Sequence, residues 1–104
     1  MKTSLIYITA STFDEAKTIG RELVSSRLAA CANIIDNMSS IYWWEGEIQN
    51  AKEAVLILKT KESLIGELVE KVKSMHSYDL PCIVSLPISD GSRPFLDWIA
   101  EETE

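Results

Sequence analysis

The sequence predicts one α+β domain in which helices cover one face of an antiparallel sheet. Short apolar runs rich in β-forming residues alternate with amphipathic segments in the order β-α-β-β-α-β-α. Residues 1–104 suffice for one domain and are too few for two with separate cores. The composition, 46% hydrophobic and 25% charged, is that of a globular protein with a packed core.

The first elements are a strand and a helix. Residues 5–8 form an apolar strand, and Thr12 and Glu15 have the spacing of a capping box, in which hydroxyl and carboxylate bond reciprocally to free backbone N–H groups. The helix that follows ends near Arg27 and buries an apolar stripe that includes Ala16, Ile19 and Leu23.

A long hairpin comes next. Its first strand runs from residue 28 through residues 41–44, and residues 45–47 offer the turn. The returning strand carries Ile48 and the run 54–58, whose five consecutive apolar residues predict burial on both faces. Asn50 and Lys52 in between indicate a bulge or solvent exposure.

The last elements are a helix, a strand and a closing helix. Thr60 can cap a second helix, whose apolar stripe is Leu64, Leu68, Val72 and Met75. Residues 80–88 form a strand with prolines near both ends. Because proline cannot donate to a ladder, we expect the strand to lie at a sheet edge or to begin and end at these prolines. After a turn at residues 90–92, Pro94 suits the first turn of a helix with Phe95, Trp98 and Ile99 on one face.

This double β-α-β order predicts the ferredoxin-like arrangement, with four antiparallel strands and two helices on one sheet face. The other face stays uncovered, and the apolar and aromatic residues of these strands would then need a partner. Self-association is the simplest source of one.

Charge, hydropathy and cysteine usage exclude several classes. The formal charge of −6 disfavours nucleic acid as a partner, and no apolar run approaches the length that crosses a membrane. The start, Met1-Lys2-Thr3-Ser4, has no signal-type cleavage region, so we expect a cytosolic protein. Cys31 and Cys82 form no C-x-x-C pair, which argues against a disulfide scaffold and a structural zinc site.

Four short segments resemble the CutA family, the divalent-cation tolerance proteins, in their order and spacing. They are RLAACANI at residues 27–34, SIYWWEGEI at residues 40–48, Lys59-Thr60, and His76-x-Tyr78-x-x-Pro81. The resemblance implies a ferredoxin-like fold and a tight homotrimer similar to PII signalling proteins, with the hairpin reaching a neighbouring subunit. It also implies an association with tolerance of copper and other divalent metals, and no assigned reaction.

Two departures from the family pattern stand out. The family usually reads His-Pro-Tyr-x-x-Pro-Glu where this chain has Ser77 in place of the proline and Cys82 in place of the glutamate. Phe95 stands where the family commonly has tyrosine. Cys82 could add a second thiol or be a neutral packing substitution.

The metal candidates are Cys31 and His76. A thiolate is a soft ligand that suits copper or zinc, although a lone cysteine between alanines is also typical of a small buried hydrophobe. His76 could ligate a metal, or bond free carbonyls at the end of its helix. Glu45 and Glu47 at the turn could bind a hard cation but are typical of solvated charge.

The resemblance also implies a cleft between subunits, formed by Tyr42, Trp43, Trp44, Lys59, His76 and Tyr78. These groups could hold a small anionic or planar ligand. In a strand, Trp43 and Trp44 point to opposite faces, so we expect one to be buried and the other to meet a neighbour, or both to pack within the hairpin.

No motif pairs a nucleophile with a base, so we expect no enzyme and no required cofactor, although a Cys31–His76 dyad remains open. Our first hypothesis is a homotrimeric tolerance protein that binds copper or another divalent metal. The alternative is a PII-like trimer whose cleft binds a small ligand or a protein partner, which the sequence does not name.

Overall fold

The computed structural model describes residues 2–104; Met1, at which the predicted domain begins, lies outside the described residues. The strands are β1 (Thr3–Ala10), β2 (Cys31–Trp44), β3 (Glu47–Lys61) and β4 (Ile83–Pro87), and the helices are α1 (Phe13–Ser25), α2 (Ile65–Met75) and α3 (Arg93–Glu102). The strands form one antiparallel sheet in the order β2-β3-β1-β4. The predicted ferredoxin-like α+β fold is therefore confirmed.

The core lies between the sheet and helices α1 and α2. Alternate residues of β1 point to this side, and Ile6, Ile8 and Ala10 are fully buried there. They join the predicted stripes of the two helices and the inner residues of β3 in one cluster, which includes Ile19, Leu23, Leu56, Leu58, Leu68 and Val72. No helix of residues 2–104 is long and apolar enough to span a bilayer.

Helix α1 is fixed at both ends by side chains. Thr12 Oγ1 accepts the Glu15 N–H at 3.0 Å, which confirms half of the capping box. The reciprocal half is wrong, because the Glu15 carboxylate accepts the N–H of Ser11 at 3.0 Å, one residue earlier than predicted. As predicted, the helix ends near Arg27, which takes a left-handed φ of 66° and donates to Glu102 Oε1.

Thr60 does not cap the second helix, so that prediction is wrong. It is a buried residue of β3, and its hydroxyl donates to the Leu28 carbonyl at 2.7 Å. Strand β3 continues beyond its apolar run 54–58, because β1 pairs with it as far as Lys61. A 3-10 turn (Glu62–Leu64) then leads into α2, which starts without a side-chain cap.

The β2–β3 hairpin extends beyond the four-stranded sheet. Since β1 pairs with β3 only from Ala54 to Lys61, residues 38–53 form a two-stranded extension that we call the arm. It closes in a two-residue turn at Glu45 and Gly46, both with positive φ, and it stretches the molecule to 44 Å. Asn50 and Lys52 are exposed, whereas the bulge lies on the opposite strand, between Ile35 and Met38.

Strand β4 pairs only with β1, which confirms its place at the sheet edge. It is shorter than predicted and starts at Ile83, so the prediction that it begins at Leu80 is wrong. Pro81 offers no N–H to the ladder, and Leu80 lies outside the sheet with 74% of its surface exposed.

The sheet face opposite α1 and α2 is largely open. Helix α3 covers only its end, where the Lys61 ammonium donates to the Thr103 carbonyl at 3.1 Å and Ile99 is buried. Further along this face Ile35, Val84 and Leu86 are about half exposed. An open face was predicted from the order of the elements.

Candidate functional site

A groove of about 660 Å³ runs along the open face, where the arm meets β1 and the loop of residues 76–82. Strand β2 lines it with the consecutive residues 38–44, and β1, β3 and the loop supply the rest of the wall. Five aromatic residues line it together with Met38: Tyr7, Tyr42, Trp43, Trp44 and Tyr78.

Glu53 provides the buried charge of this groove, whose lining also includes the exposed Asp79. Glu53 is only 9% exposed, and its Oε2 accepts the Tyr78 hydroxyl at 2.8 Å. Within residues 2–104 no donor contacts Oε1, and no buried side-chain oxygen lacks a partner, so Oε1 is open to water. Burial raises the pKa of Tyr78, and the hydrogen bond and charge of Glu53 raise it further. The phenol therefore stays protonated and donates to Glu53.

His76 holds the loop that carries Tyr78. Its side chain is fully buried, and Nδ1 accepts the Tyr78 N–H at 3.0 Å. Since Nδ1 is an acceptor, Nε2 carries the proton and donates to the Thr9 carbonyl at 2.7 Å. Both ring nitrogens are thus occupied by the fold, and the ring packs 4.8 Å from that of Tyr78.

Glu15 fastens the same loop to the start of α1. Its Oε2 accepts the Ser77 N–H at 2.7 Å, while Oε1 accepts the N–H and hydroxyl of Ser11. Burial by itself would raise the pKa of Glu15, but these hydrogen bonds to Ser11 and Ser77 lower it to about 2. The bond to Ser77 uses an N–H that the proline of the family pattern would lack.

The two predicted metal candidates lie apart within one chain. Cys31 is half-buried opposite Lys59, whereas the Thr9 carbonyl that binds His76 lies opposite Val55, four residues further along β3. That offset alone corresponds to about 13 Å of strand. One chain therefore forms neither a Cys31–His76 metal pair nor the corresponding dyad, and residues 2–104 contain no cluster of three or more His, Cys, Asp or Glu that could hold a metal.

Four of the six predicted cleft residues line one groove: Tyr42, Trp43, Trp44 and Tyr78. His76 lies behind Tyr78. Lys59 is elsewhere, since its ammonium donates to Asn33 Oδ1 at 2.6 Å near the start of β2. A single chain thus lacks the cation that an anionic ligand would need in this groove.

Both arm tryptophans are exposed, Trp43 by 72% and Trp44 by 45%. The expectation that one of them is buried within the sheet is wrong for a single chain, and so is packing of both within the hairpin. The reason is the length of the hairpin, which carries both residues past β1 and the helices. Glu45 and Glu47 are exposed at the turn.

Cys82 is exposed in a single chain and lines the groove, so it does not pack in the core of that chain. Phe95 is exposed beside Trp98 on α3, with ring centres 5.4 Å apart.

Sequence reasoning missed Glu53, Tyr7 and Met38 as site residues. Glu53 had a usable signal, because it is a charged residue directly before the buried run 54–58. Tyr7 and Met38 had none, since their contact joins residues 31 positions apart, with the Tyr7 hydroxyl 3.6 Å from the Met38 sulfur.

Comparisons with known proteins agree on one family. Residues 4–102 match the family model described as CutA1 divalent ion tolerance protein. The chain is 46% identical over 101 residues to the divalent-cation tolerance protein CutA of Archaeoglobus fulgidus, covering 97% of this chain and 98% of that protein.

Other relatives show the same likeness. The structure of the divalent cation tolerance protein of Thermus thermophilus superposes with a TM-score of 0.96 at 42% identity, over 98% of this chain and 99% of that one. The rice protein CutA 1, described as chloroplastic, is 40% identical over 95% of this chain; the chain spans 56% of its length.

Proposed function

The chain belongs to the CutA1 divalent ion tolerance family, and from this premise we propose that it serves in the tolerance of divalent cations as a homotrimer. The exposed apolar surface of the arm and of the open sheet face is the observation that supports self-association. Ile41 is 73% exposed and Trp43 is 72% exposed, both on a two-stranded extension.

An arm of this kind needs a partner. An isolated two-stranded hairpin is marginally stable in water, and monomeric proteins rarely expose apolar patches of this extent. Burying a large apolar side chain contributes about 1.5–3 kcal/mol. Covering Ile41, Trp43 and Ile48 would thus contribute roughly 5–9 kcal/mol per arm, before the cost of association. We propose three copies because the family resemblance implies a trimer.

For the metal, we propose that Cys31 is a ligand in a site shared between subunits. A closed thiolate or imidazole site takes about four ligands, more than one chain gathers. Cys31 is half-buried on the open face and has a free thiol. His76 joins such a site only by giving up its bond to Thr9 or to Tyr78.

Stoichiometric copper binding tests this assignment. Reduced protein is titrated with copper under native mass spectrometry, with Cys31→Ser as the variant and Cys82→Ser as the matched control, because it removes the other thiol. We expect a fixed number of ions per assembly in the wild type and the control, and none in Cys31→Ser. Equal binding by both variants, or no fixed stoichiometry in the wild type, would contradict the assignment.

The family is named for tolerance and not for a reaction, and we propose no catalytic turnover. A cytosolic location remains our prediction. Among the relatives, the Archaeoglobus fulgidus protein is described as periplasmic and the rice protein as chloroplastic.

A further inference from the structure

We propose that Asp90 and Gly91 form a site of spontaneous covalent modification, at which the aspartate converts to isoaspartate. The conversion uses groups of one chain, with water as the only co-reactant. It does not rest on the proposed tolerance function.

Asp90 and Gly91 lie in the loop that joins β4 to α3. Both residues are exposed, and neither belongs to a helix or strand. Pro87, the last residue of β4, pairs with Ser4 near the start of β1, whereas the arm lies beyond Ala10 at the other end of that strand. The loop is therefore at the opposite end of the sheet from the arm and its groove.

The backbone of Gly91 is placed directly against the Asp90 side chain. Its N–H donates to Asp90 Oδ1 at 2.8 Å and makes no backbone hydrogen bond within residues 2–104. The carboxyl carbon Cγ, which the nitrogen must attack, is one bond beyond that oxygen. Bringing the two atoms together thus needs a small rotation within the loop and breaks no hydrogen bond of a helix or strand.

Glycine is the residue type that permits this approach. It has no Cβ, so the carboxyl group reaches its nitrogen with little hindrance, and its backbone is conformationally free. The same chain offers a comparison at the bulge of β2, where the Asn37 N–H donates to Asp36 Oδ1 at 2.7 Å. There the second residue carries a side chain and is held at a φ of 60°. We therefore expect conversion at Asp90 and not at Asp36.

The reaction balances without a cofactor. The Asp90 carboxylate takes a proton from solvent, and the Gly91 nitrogen then bonds to Cγ while the C–OH bond breaks. The N–H proton leaves with that hydroxyl as water, and a cyclic succinimide remains. Water then adds to one of the two imide carbonyls. Opening at the side-chain carbonyl restores aspartate, and opening at the main-chain carbonyl of Asp90 leaves the chain running through Cβ and Cγ.

Isoaspartate adds one carbon atom to the main chain just before α3. A Cβ built on Gly91 would meet Leu96 Cδ2 at 3.6 Å, so the loop lies against the first turns of this helix. The Ser92 carbonyl accepts the N–H groups of Phe95 and Leu96. The longer main chain must therefore change the path by which the loop enters α3.

Peptide mapping of the aged protein tests the proposal. The assembled wild-type protein and a synthetic peptide of residues 86–97 are incubated at pH 7 and physiological temperature. Electron-transfer fragmentation then distinguishes isoaspartate from aspartate. We expect isoaspartate at Asp90, at a rate within about tenfold of that in the peptide, and none at Asp36.

Three results of this experiment would overturn the proposal. Conversion of the peptide without conversion of the protein would show that the fold or the assembly protects the loop. Absence of conversion in both would show that the pair is unreactive. Equal conversion at Asp36 and Asp90 would show that glycine confers no reactivity.

Gly91→Ala tests the role of glycine directly. Gly91 has no positive φ, and its new Cβ would meet Leu96 at an ordinary contact distance, so the variant should fold. The matched control is Gly66→Ala, which makes the same change on α2 with nothing within 4 Å. We expect conversion at Asp90 to slow at least about tenfold in Gly91→Ala and to change less than about twofold in the control. Equal rates in the wild type and both variants would contradict the assignment.

Discussion

Replacing Glu15 by glutamine should destabilise the protein at neutral pH and leave it unaffected in acid. The carboxylate accepts three hydrogen bonds, two from Ser11 and one from Ser77. A glutamine amide offers one oxygen and turns its NH₂ group toward at least one of these donors. The variant therefore loses at least one of the three hydrogen bonds that the carboxylate accepts.

The magnitude follows from the pKa of Glu15, which the fold lowers from an ordinary value of 4.5 to about 2. One pK unit corresponds to about 1.4 kcal/mol, so the full difference is worth about 3 kcal/mol. The side chain is 15% exposed, and water compensates part of the loss. We expect the free energy of unfolding to fall by about 2 kcal/mol.

The pH dependence has a definite sign. A lowered folded-state pKa stabilises the fold above the unfolded value of 4.5, and this contribution is lost as the pH falls toward 2. Urea unfolding at a fixed protein concentration should show the full difference between wild type and variant at pH 6–8. Between about pH 5 and pH 2 the difference should shrink.

Asp14→Asn is the matched control, because Asp14 is an exposed carboxylate in the same first turn of α1 and accepts no side-chain hydrogen bond within residues 2–104. It should cost less than about 1 kcal/mol, the usual effect of a charge at a helix N-terminus. An equal loss in both variants, or a Glu15→Gln difference that persists at pH 2, would refute the reasoning.

Two further predictions concern packing and the Tyr78 phenol. Gly20→Ala should lower the free energy of unfolding, measured in urea, by about 1 kcal/mol, because the new Cβ would meet Leu56 Cδ1 at 3.0 Å. Gly66→Ala is the matched control: its Cβ would meet nothing within 4 Å, so the free energy of unfolding should rise by up to about 1 kcal/mol. The reverse order of the two variants would contradict the packing of α1. Tyr78→Phe should lower the free energy of unfolding by about 1–3 kcal/mol at pH 7, because it removes the donor to Glu53. Because the fold raises the pKa of Tyr78, the wild type should lose this stabilisation as the pH rises past about 10, and the variant should not show that loss. Thermal unfolding between pH 7 and 11 measures this, and an unchanged alkaline loss in the variant would argue against the Tyr78 assignment.

The fold was predictable because its signals are local. The apolar run of β1, the helix stripes and the Glu45-Gly46 turn each follow from the spacing of apolar and turn residues. Thr60 was misassigned because a threonine before an apolar stripe resembles a cap, while pairing with β1 keeps it in the strand. At Thr60, pairing between β3 and β1 outweighs the local preference of threonine for a helix N-cap.

The site was less predictable because it depends on contacts between distant segments. The loop with Tyr78 reaches Glu53, 25 positions away, and Lys59 bonds to Asn33 across 26 positions. His76 was recognised as important, but its two hydrogen bonds give it the role of holding the loop. Residue types alone do not reveal that both ring nitrogens of His76 already form hydrogen bonds within the fold.

The central claim is that copies of this chain cover the arm and the open sheet face. Native mass spectrometry of the purified protein, at several concentrations, tests it most directly. The account predicts a single species of about 35 kDa, three times the chain mass of 11.7 kDa, that persists on dilution. A mass of 11.7 kDa at every concentration would contradict it, and a stable dimer would contradict the threefold assembly.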